Sequence, residues 1–557
     1  GGVFARGEQS IPLTAEMKRI LGRSKPSATP NAIIHALRKA EADLLWFGGI
    51  GTYVRSTLEN DDEVGDRASD AFRITASDLR VKVVGEGANL GMTQKARIQF
   101  AAHGGRVNSD AIDNSAGVNS SDMEVNIKVA LGPALREGRI KQSSRNKLLA
   151  RMTDEVAQLV LRNNYLQTLS LSLAQSRGMQ DFGFQLRLMR DLESRDQLDR
   201  AVEDLPDDIE LLEREQTETG LWRPELAVLL AYAKLTLYDQ LLDSSVPDDE
   251  YLGGELLRYF PAELQKKFAD DISGHRLRRE IIATMLANSM INRGGSTLVH
   301  RLIDTTGADV AAISAAYAEV RDSFNMGALN GAIDELDNKI SGALQLQLYL
   351  DVQTLLRDQI VWFLRNIAPE SGIGEVVELY RDGIETLQNG LDQVVPKSRL
   401  DRVAAKAKSL IGQGIPEELA QHIASLSVLA SGPDIVLVAQ RTGQDTITVA
   451  KVYFAVAALF KAGQLVTMAR DLEIAEYYDR LALTRTLELI DEALRQITAQ
   501  ALATGKTGDE AIAQWQGDRE QIVNRTRHAM SEIVASGDLT LSKLTVGAST
   551  LISLVEK

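Results

Sequence analysis

Residues Val81–Phe100 read VKVVGEGANLGMTQKARIQF, and residues Asp113–Asn126 read DNSAGVNSSDMEVN. The first is an apolar run that stops in glycine and ends on an amide; the second is another amide with small residues that leads into a helix. A strand ending in glycine bares its backbone to a ligand, and open α/β sheets gather ligands at the carboxyl ends of their strands, so the two turns suit a dinucleotide. Working outward, Thr29 and Pro30 supply a cap and a first-turn proline for a helix over Asn31–Ala40, which leads into the strand and glycine turn ADLLWFGGIGTYV. Helices predicted over Arg67–Phe72 and Thr93–His103 flank the strand Val81–Val84, the alternation of a parallel sheet. Only part of such a sheet can be counted.

From about Ser143 the pattern becomes helix after helix. Leu149, Met152, Val156, Leu159 and Val160 keep helical spacing, as do Leu226, Leu229, Leu230, Ala233 and Leu237 behind Pro224. GALQLQLYLDVQTLL alternates like a strand, yet Leu344, Leu348, Val352, Leu355 and Leu356 share one helix face and leucine and glutamine are not β-branched, so a helix is expected. The fold class is mainly α with an N-terminal α/β part: an incomplete Rossmann-like parallel sheet, then a large all-helical C-terminal region. Breaks rich in Gly, Pro or Asp suggest residues 1–142 as the last portion of a dinucleotide-binding domain, 143–370 as a helical domain and 371–557 as a C-terminal helical subdomain.

Composition narrows the function classes. A net charge of -15 repels phosphate backbones and anionic lipid, so neither nucleic acid nor a membrane is expected as a partner. No run approaches the ~20 apolar residues that span a bilayer. Without cysteine there is no thiolate nucleophile or disulfide, which fits a reducing cytoplasm. The six histidines have no metal-ligand spacing, and no metal site is expected. The chain opens at Gly1 inside what reads as ongoing sequence, which suggests a piece of a longer protein.

Each turn also has an ordinary reading. GEGANLG misses the dinucleotide fingerprint because its third glycine is Gly91, where the spacing requires position 90, and a plain strand-to-helix turn competes. Ser121 and Glu124 stand in capping-box spacing and predict a helix start, whose free amides would favour a carboxylate or phosphate; the serine can equally serve only as the cap. Asn114 could hold a carboxamide or ribose, or close an Asx turn.

With those residues in view, the chain resembles the C-terminal part of the large bacterial NAD-dependent glutamate dehydrogenases. LLWFGGIGTYV, GDRASDAFR, VVGEGANLG, DNSAGVNSSDMEVNIK, YLQTLSLSLA, GLWRPELAVLLAYAKLTLYD and HRLRREIIATMLANSMINRGG carry the likeness over most of the chain. The resemblance implies NAD as cofactor, with Gly87, Ala88 and Asn89 against the nicotinamide ribose and Asn114 near the nicotinamide. It implies that Gly48, Gly49 and Ile50 form a small-residue turn beside the cofactor, and that Ser121 contacts a carboxylate of glutamate. Thr52 stands where the smaller hexameric relatives commonly carry asparagine, and Ser115 and Ala116 replace an alanine and a glycine of their pattern. The implied reaction takes glutamate, NAD and water to 2-oxoglutarate, ammonia and NADH. The family's catalytic lysine and aspartate lie upstream, so no catalytic residue is nominated in this chain, which is expected to be inactive alone. A homo-oligomer is expected, and a helical oligomerisation or regulatory module of the parent enzyme is the alternative.

Overall fold

A computed structural model describes residues 2–472, 474 and 476–555. The chain divides into two compact units, Gly1–Thr297 and Leu298–Lys557. In the first, strand β1 (Ala42–Phe47) pairs in parallel with strand β4 (Val81–Glu86), which sets Trp46 opposite Gly85 and Phe47 opposite Glu86. Short strands β2 (Val54–Arg55) and β3 (Ile74–Thr75) form a second parallel pair, and Ile11–Pro12 with Ser27–Ala28 an antiparallel one. Successive side chains of a strand point to opposite faces, and here only one face is covered. Phe47 and Val84 enter a core with Val54, Ile74, Met92 and Phe100, the last from helix α1 (Gln94–Ala102). On the other face, Leu44 and Trp46 are 54% and 59% exposed.

Two predicted helices differ from the structure. Over Arg67–Phe72 there is only a single 3-10 turn, Asp70–Phe72. The Asp66 carbonyl accepts the Ser69 N–H of a tight turn at 3.1 Å together with Arg73 Nη2 at 2.5 Å, and the Asp66 carboxylate accepts from Thr52 N–H at 2.8 Å. The helix predicted to begin at Ser121 begins six residues earlier. Helix α2 (Asp110–Asp113) runs through Asn114 into helix α3 (Ser115–Arg136), so Ser121 is an exposed residue of α3 and caps nothing. Its partner in the expected box, Glu124, pairs with Lys128.

Helices α4 (Thr153–Arg177), α5 (Arg223–Leu242) and α6 (Arg278–Gly294) pack on one another and on the α/β part. Leu226, Leu230, Ala233, Leu237 and Leu241 are the buried stripe of α5. Pro224 falls in its first turn, where a missing N–H costs nothing, and the Glu225 carboxylate there accepts from Trp222 N–H at 2.6 Å and from Arg214 at 2.7 and 2.8 Å.

In the second unit, GALQLQLYLDVQTLL is helical within helix α7 (Gly342–Asn366), with Leu348, Val352, Leu355 and Leu356 buried. A polar junction sits inside this unit at the first turn of helix α8 (Gly432–Thr442). Asp434 accepts from Trp362 of α7 at 2.7 Å, from Tyr453 of helix α9 (Thr446–Leu459) at 3.1 Å and from Arg495 of helix α10 (Tyr477–Leu502) at 2.6 Å. Among the described residues, no single helix is long and apolar enough to cross a membrane.

Candidate functional site

The turns that follow β1 and β4 meet at the carboxyl ends of the parallel pair. Ala88 N–H donates to the Phe47 carbonyl at 3.1 Å, which joins Gly87–Asn89 to the start of the turn Gly48–Ile50. Asn114 Nδ2 donates to Asn89 Oδ1 at 2.8 Å, so Asn114 binds the other turn and neither closes an Asx turn nor caps α3. Each amide has spare donors and acceptors after this bond, a match for a ligand carboxamide. Ser121 is seven residues beyond Asn114, two turns or about 10 Å along α3 on the same face. With the helix start at Ser115, Ser121 offers a hydroxyl but no free helix-end amide. The structure thus brings Gly87, Ala88, Asn89 and Asn114 together beside Phe47, from which the turn Gly48–Ile50 departs with Ile50 92% exposed, and leaves Ser121 two turns away along α3.

The glycines do not leave bare backbone as expected. The Trp46 indole lies over Gly85 and Gly87: a Cβ on Gly85 would stand 2.6 Å from the ring, and one on Gly87 2.3 Å. Glycine is required there by a neighbour of the same sheet, and a ligand reaching Gly87 meets the indole beside it. The spacing that spoils the fingerprint also has a structural answer. Leu90 takes the left-handed conformation, φ 64°, where glycine was wanted, at a cost of about 1–2 kcal/mol. Its N–H is held by Asp110 Oδ2 at 2.8 Å.

Beneath the turns runs a buried polar network. Glu86 accepts a fork from Arg97 at 2.7 and 2.9 Å and the Met92 N–H at 3.0 Å. Burial raises the Glu86 carboxyl above its ordinary value, and the Arg97 hydrogen bonds and charge pull it back without cancelling the rise. Asp110 stands 3.3 Å from the same guanidinium. Asp113 accepts the Glu86 N–H at 2.9 Å and Asn108 Nδ2 at 2.6 Å; burial raises its carboxyl too. Consequently the residues on either side of the Asn89–Asn114 contact are tied to each other through Glu86, Asp110 and Asp113. Sequence reasoning missed all three and Trp46. The acids at 110 and 113, one helical turn apart just before Asn114, were the available signal, but an aspartate's burial is invisible until the fold encloses it.

Comparison with known proteins gives the family. Residues 1–174 match the family described as bacterial NAD-glutamate dehydrogenase, catalytic domain, and residues 218–553 the family described as glutamate dehydrogenase, C-terminal. The chain belongs to the bacterial NAD-glutamate dehydrogenase family. It is 37% identical to the NAD-specific glutamate dehydrogenase of Halomonas elongata, over 100% of this chain and 35% of that protein. The corresponding figures are 39%, 100% and 34% for the Pseudomonas aeruginosa protein, and 33%, 98% and 34% for that of Mycobacterium tuberculosis. The chain therefore spans about a third of the length of these curated relatives. The gathered turns and Ser121 all fall within the catalytic-domain match.

Proposed function

We propose that this chain carries the nicotinamide side of the cofactor site of an NAD-dependent glutamate dehydrogenase, which converts glutamate, NAD and water to 2-oxoglutarate, ammonia and NADH. The observation that carries the reading is the hydrogen-bonded pair Asn89–Asn114 beside the Phe47–Ala88 junction. A planar ring bearing a carboxamide needs one donor and one acceptor held in fixed register at strand ends, and this pair offers both. Gly87, Ala88 and Asn89 would border the ribose, Asn114 the carboxamide, and Gly48, Gly49 and Ile50 the neighbouring edge. Ser121, two turns further along the same helix face, would meet a substrate carboxylate with its hydroxyl. The cofactor supplies the hydride acceptor; the residues present here bind and orient, and none is assigned a proton.

The same reading makes residues 1–142 the closing portion of a dinucleotide-binding domain and the helices after them a region that assembles or regulates a cytoplasmic homo-oligomer. Titration of the 557-residue chain with NADH, followed by cofactor fluorescence, tests it. Binding that weakens about tenfold with Asn89→Ala is the expected result, with no turnover of glutamate and NAD by the chain alone. Absence of any NADH binding, or binding indifferent to Asn89, refutes the cofactor reading; NADH formation from glutamate refutes the expected inactivity.

A further inference from the structure

Residues from the helical region reach back to the turns described above. Asn164 of α4 donates through Nδ2 to the Ile112 carbonyl at 2.8 Å and to Ser115 Oγ at 2.9 Å, the residues that bracket Asp113 and Asn114. Arg223, the first residue of α5, donates through Nε to Asn108 Oδ1 at 2.5 Å. Asn108 in turn donates to Asp113 Oδ1 at 2.6 Å, and the other oxygen of Asp113 accepts the Glu86 N–H at 2.9 Å. The remaining arms of Arg223 hold α4: Nη2 donates to the Thr168 carbonyl at 3.0 Å, and Nη1 to Ser172 Oγ at 3.1 Å.

Two features set this apart from general helix packing. Every acceptor that Arg223 touches is neutral, so a half-buried guanidinium is held without a contacting ion-pair partner; desolvation pushes it down to about 10. A half-buried cation in that state is costly and is expected to serve geometry, because the three nitrogens of its rigid planar fork hold Asn108 on one side and Thr168, Ser172 and Gln175 on the other, whereas an ammonium's donors radiate from a single nitrogen. Secondly, the bonds are serial. Arg223, Asn108, Asp113 and Glu86 N–H form one file ending at the residue before Gly87, while Asn164 grips the turn that presents Asn114. One side of the Asn89–Asn114 pair is thus set by Asp113 and the other by Asn164.

We propose that Arg223 and Asn164 are positioning residues: a clamp from the helical region that sets the two carboxamides of Asn89 and Asn114 in register for a nicotinamide carboxamide. This rests on the cofactor reading above and assigns the helical region a task within it. The region does more than assemble subunits; it completes the cofactor site from behind without touching the ligand.

The test uses the whole 557-residue chain with Arg223→Lys, which keeps the charge and loses the fork, and Asn164→Ala as a second, milder variant. Hydrogen exchange without ligand is followed at residues 85–92 and 110–118, with residues 278–294 of α6 as an internal control. Exchange in the first two segments should rise roughly tenfold in both variants with α6 unchanged. NADH binding should weaken roughly tenfold, and Asn114→Ala added to Arg223→Lys should weaken it by much less than the product of the two separate losses, because both act through one amide. Unaltered exchange at residues 85–92 overturns the clamp, whether or not NADH binds. Exchange that rises equally in α6 overturns it in favour of general destabilisation, as do fully additive losses. Failure of the unsubstituted chain to bind NADH overturns the cofactor reading instead, and the exchange result then still decides whether the clamp holds the turns.

Discussion

Gly117 shows how one residue serves a contact it does not make. It lies in the first turn of a 22-residue helix, where glycine costs about 1 kcal/mol relative to alanine. A Cβ at Gly117 would stand 2.8 Å from Asn114 Oδ1, so the missing methyl is the space in which the Asn114 amide turns toward Asn89. The two effects pull apart in Gly117→Ala. Thermal stability should hold or rise by up to about 1 kcal/mol, because the helix gains and an asparagine side chain moves aside at little cost, whereas NADH binding should weaken. A stability loss with unchanged NADH titration would contradict this account. Ser121 teaches the opposite lesson: its spacing to Glu124 satisfied the capping pattern, but the structure continues the helix from Asn114 and leaves the serine mid-face. The pattern is not sufficient for a cap, and Thr14 and Thr29 cap their helices without a Glu or Gln three residues on.

At the scale of elements, charge placed at helix starts does different work in the two units. In the first, Glu225 in the opening turn of α5 binds Arg214 and the Trp222 amide and so anchors that end of the helix. In the second, Asp434 in the opening turn of α8 faces inward and gathers α7, α9 and α10. Removing it orphans the Trp362 indole N–H and the Arg495 guanidinium in the interior together. Asp434→Ala should therefore destabilise by about 3–5 kcal/mol, the range for breaking one side of a buried pair, and urea unfolding followed by a probe in residues 298–557 measures it. A loss below about 1 kcal/mol would mean that the junction is not what holds those helices. That helices would dominate here was legible in the apolar spacing; that one aspartate would join four of them was not, because its three partners lie at sequence separations of 19 to 72 residues.

For the whole molecule, two buried groups shift in opposite senses. Lys234 of α5 has a buried Nζ with no hydrogen-bond partner, and burial pushes its pKa down to about 7. Its folded value lies below its unfolded value of 10.5, so the unfolded chain holds the extra proton between them and stability falls as pH drops from about 10 to about 7. Asp491 of α10 is pushed up to about 8, chiefly by burial and then by Asp434 nearby. Here the folded chain holds the extra proton, so stability falls as pH rises from about 4 to about 8. Lys234→Met should raise stability by about 1–3 kcal/mol at pH 6, with the gain shrinking by pH 10. Asp491→Asn should flatten the decline between pH 5 and 8. Melting curves across that range check both, and a lysine variant whose gain grows with pH, or an asparagine variant with the original slope, would refute the respective assignment.

What the sequence alone determined was the class of each region and the two turns that follow the parallel strands. Periodicity marks helices wherever an apolar stripe must be buried, and glycine and amide turns after apolar strands mark the ligand end of a parallel pair, because both signals are local. Tertiary structure alone decided which side chains hold the site. Trp46 filling the space over Gly87, Asp113 gripping Glu86, and Arg223 reaching Asn108 across 115 residues all depend on distant segments meeting at angstrom distances, and no spacing rule along one chain encodes that meeting.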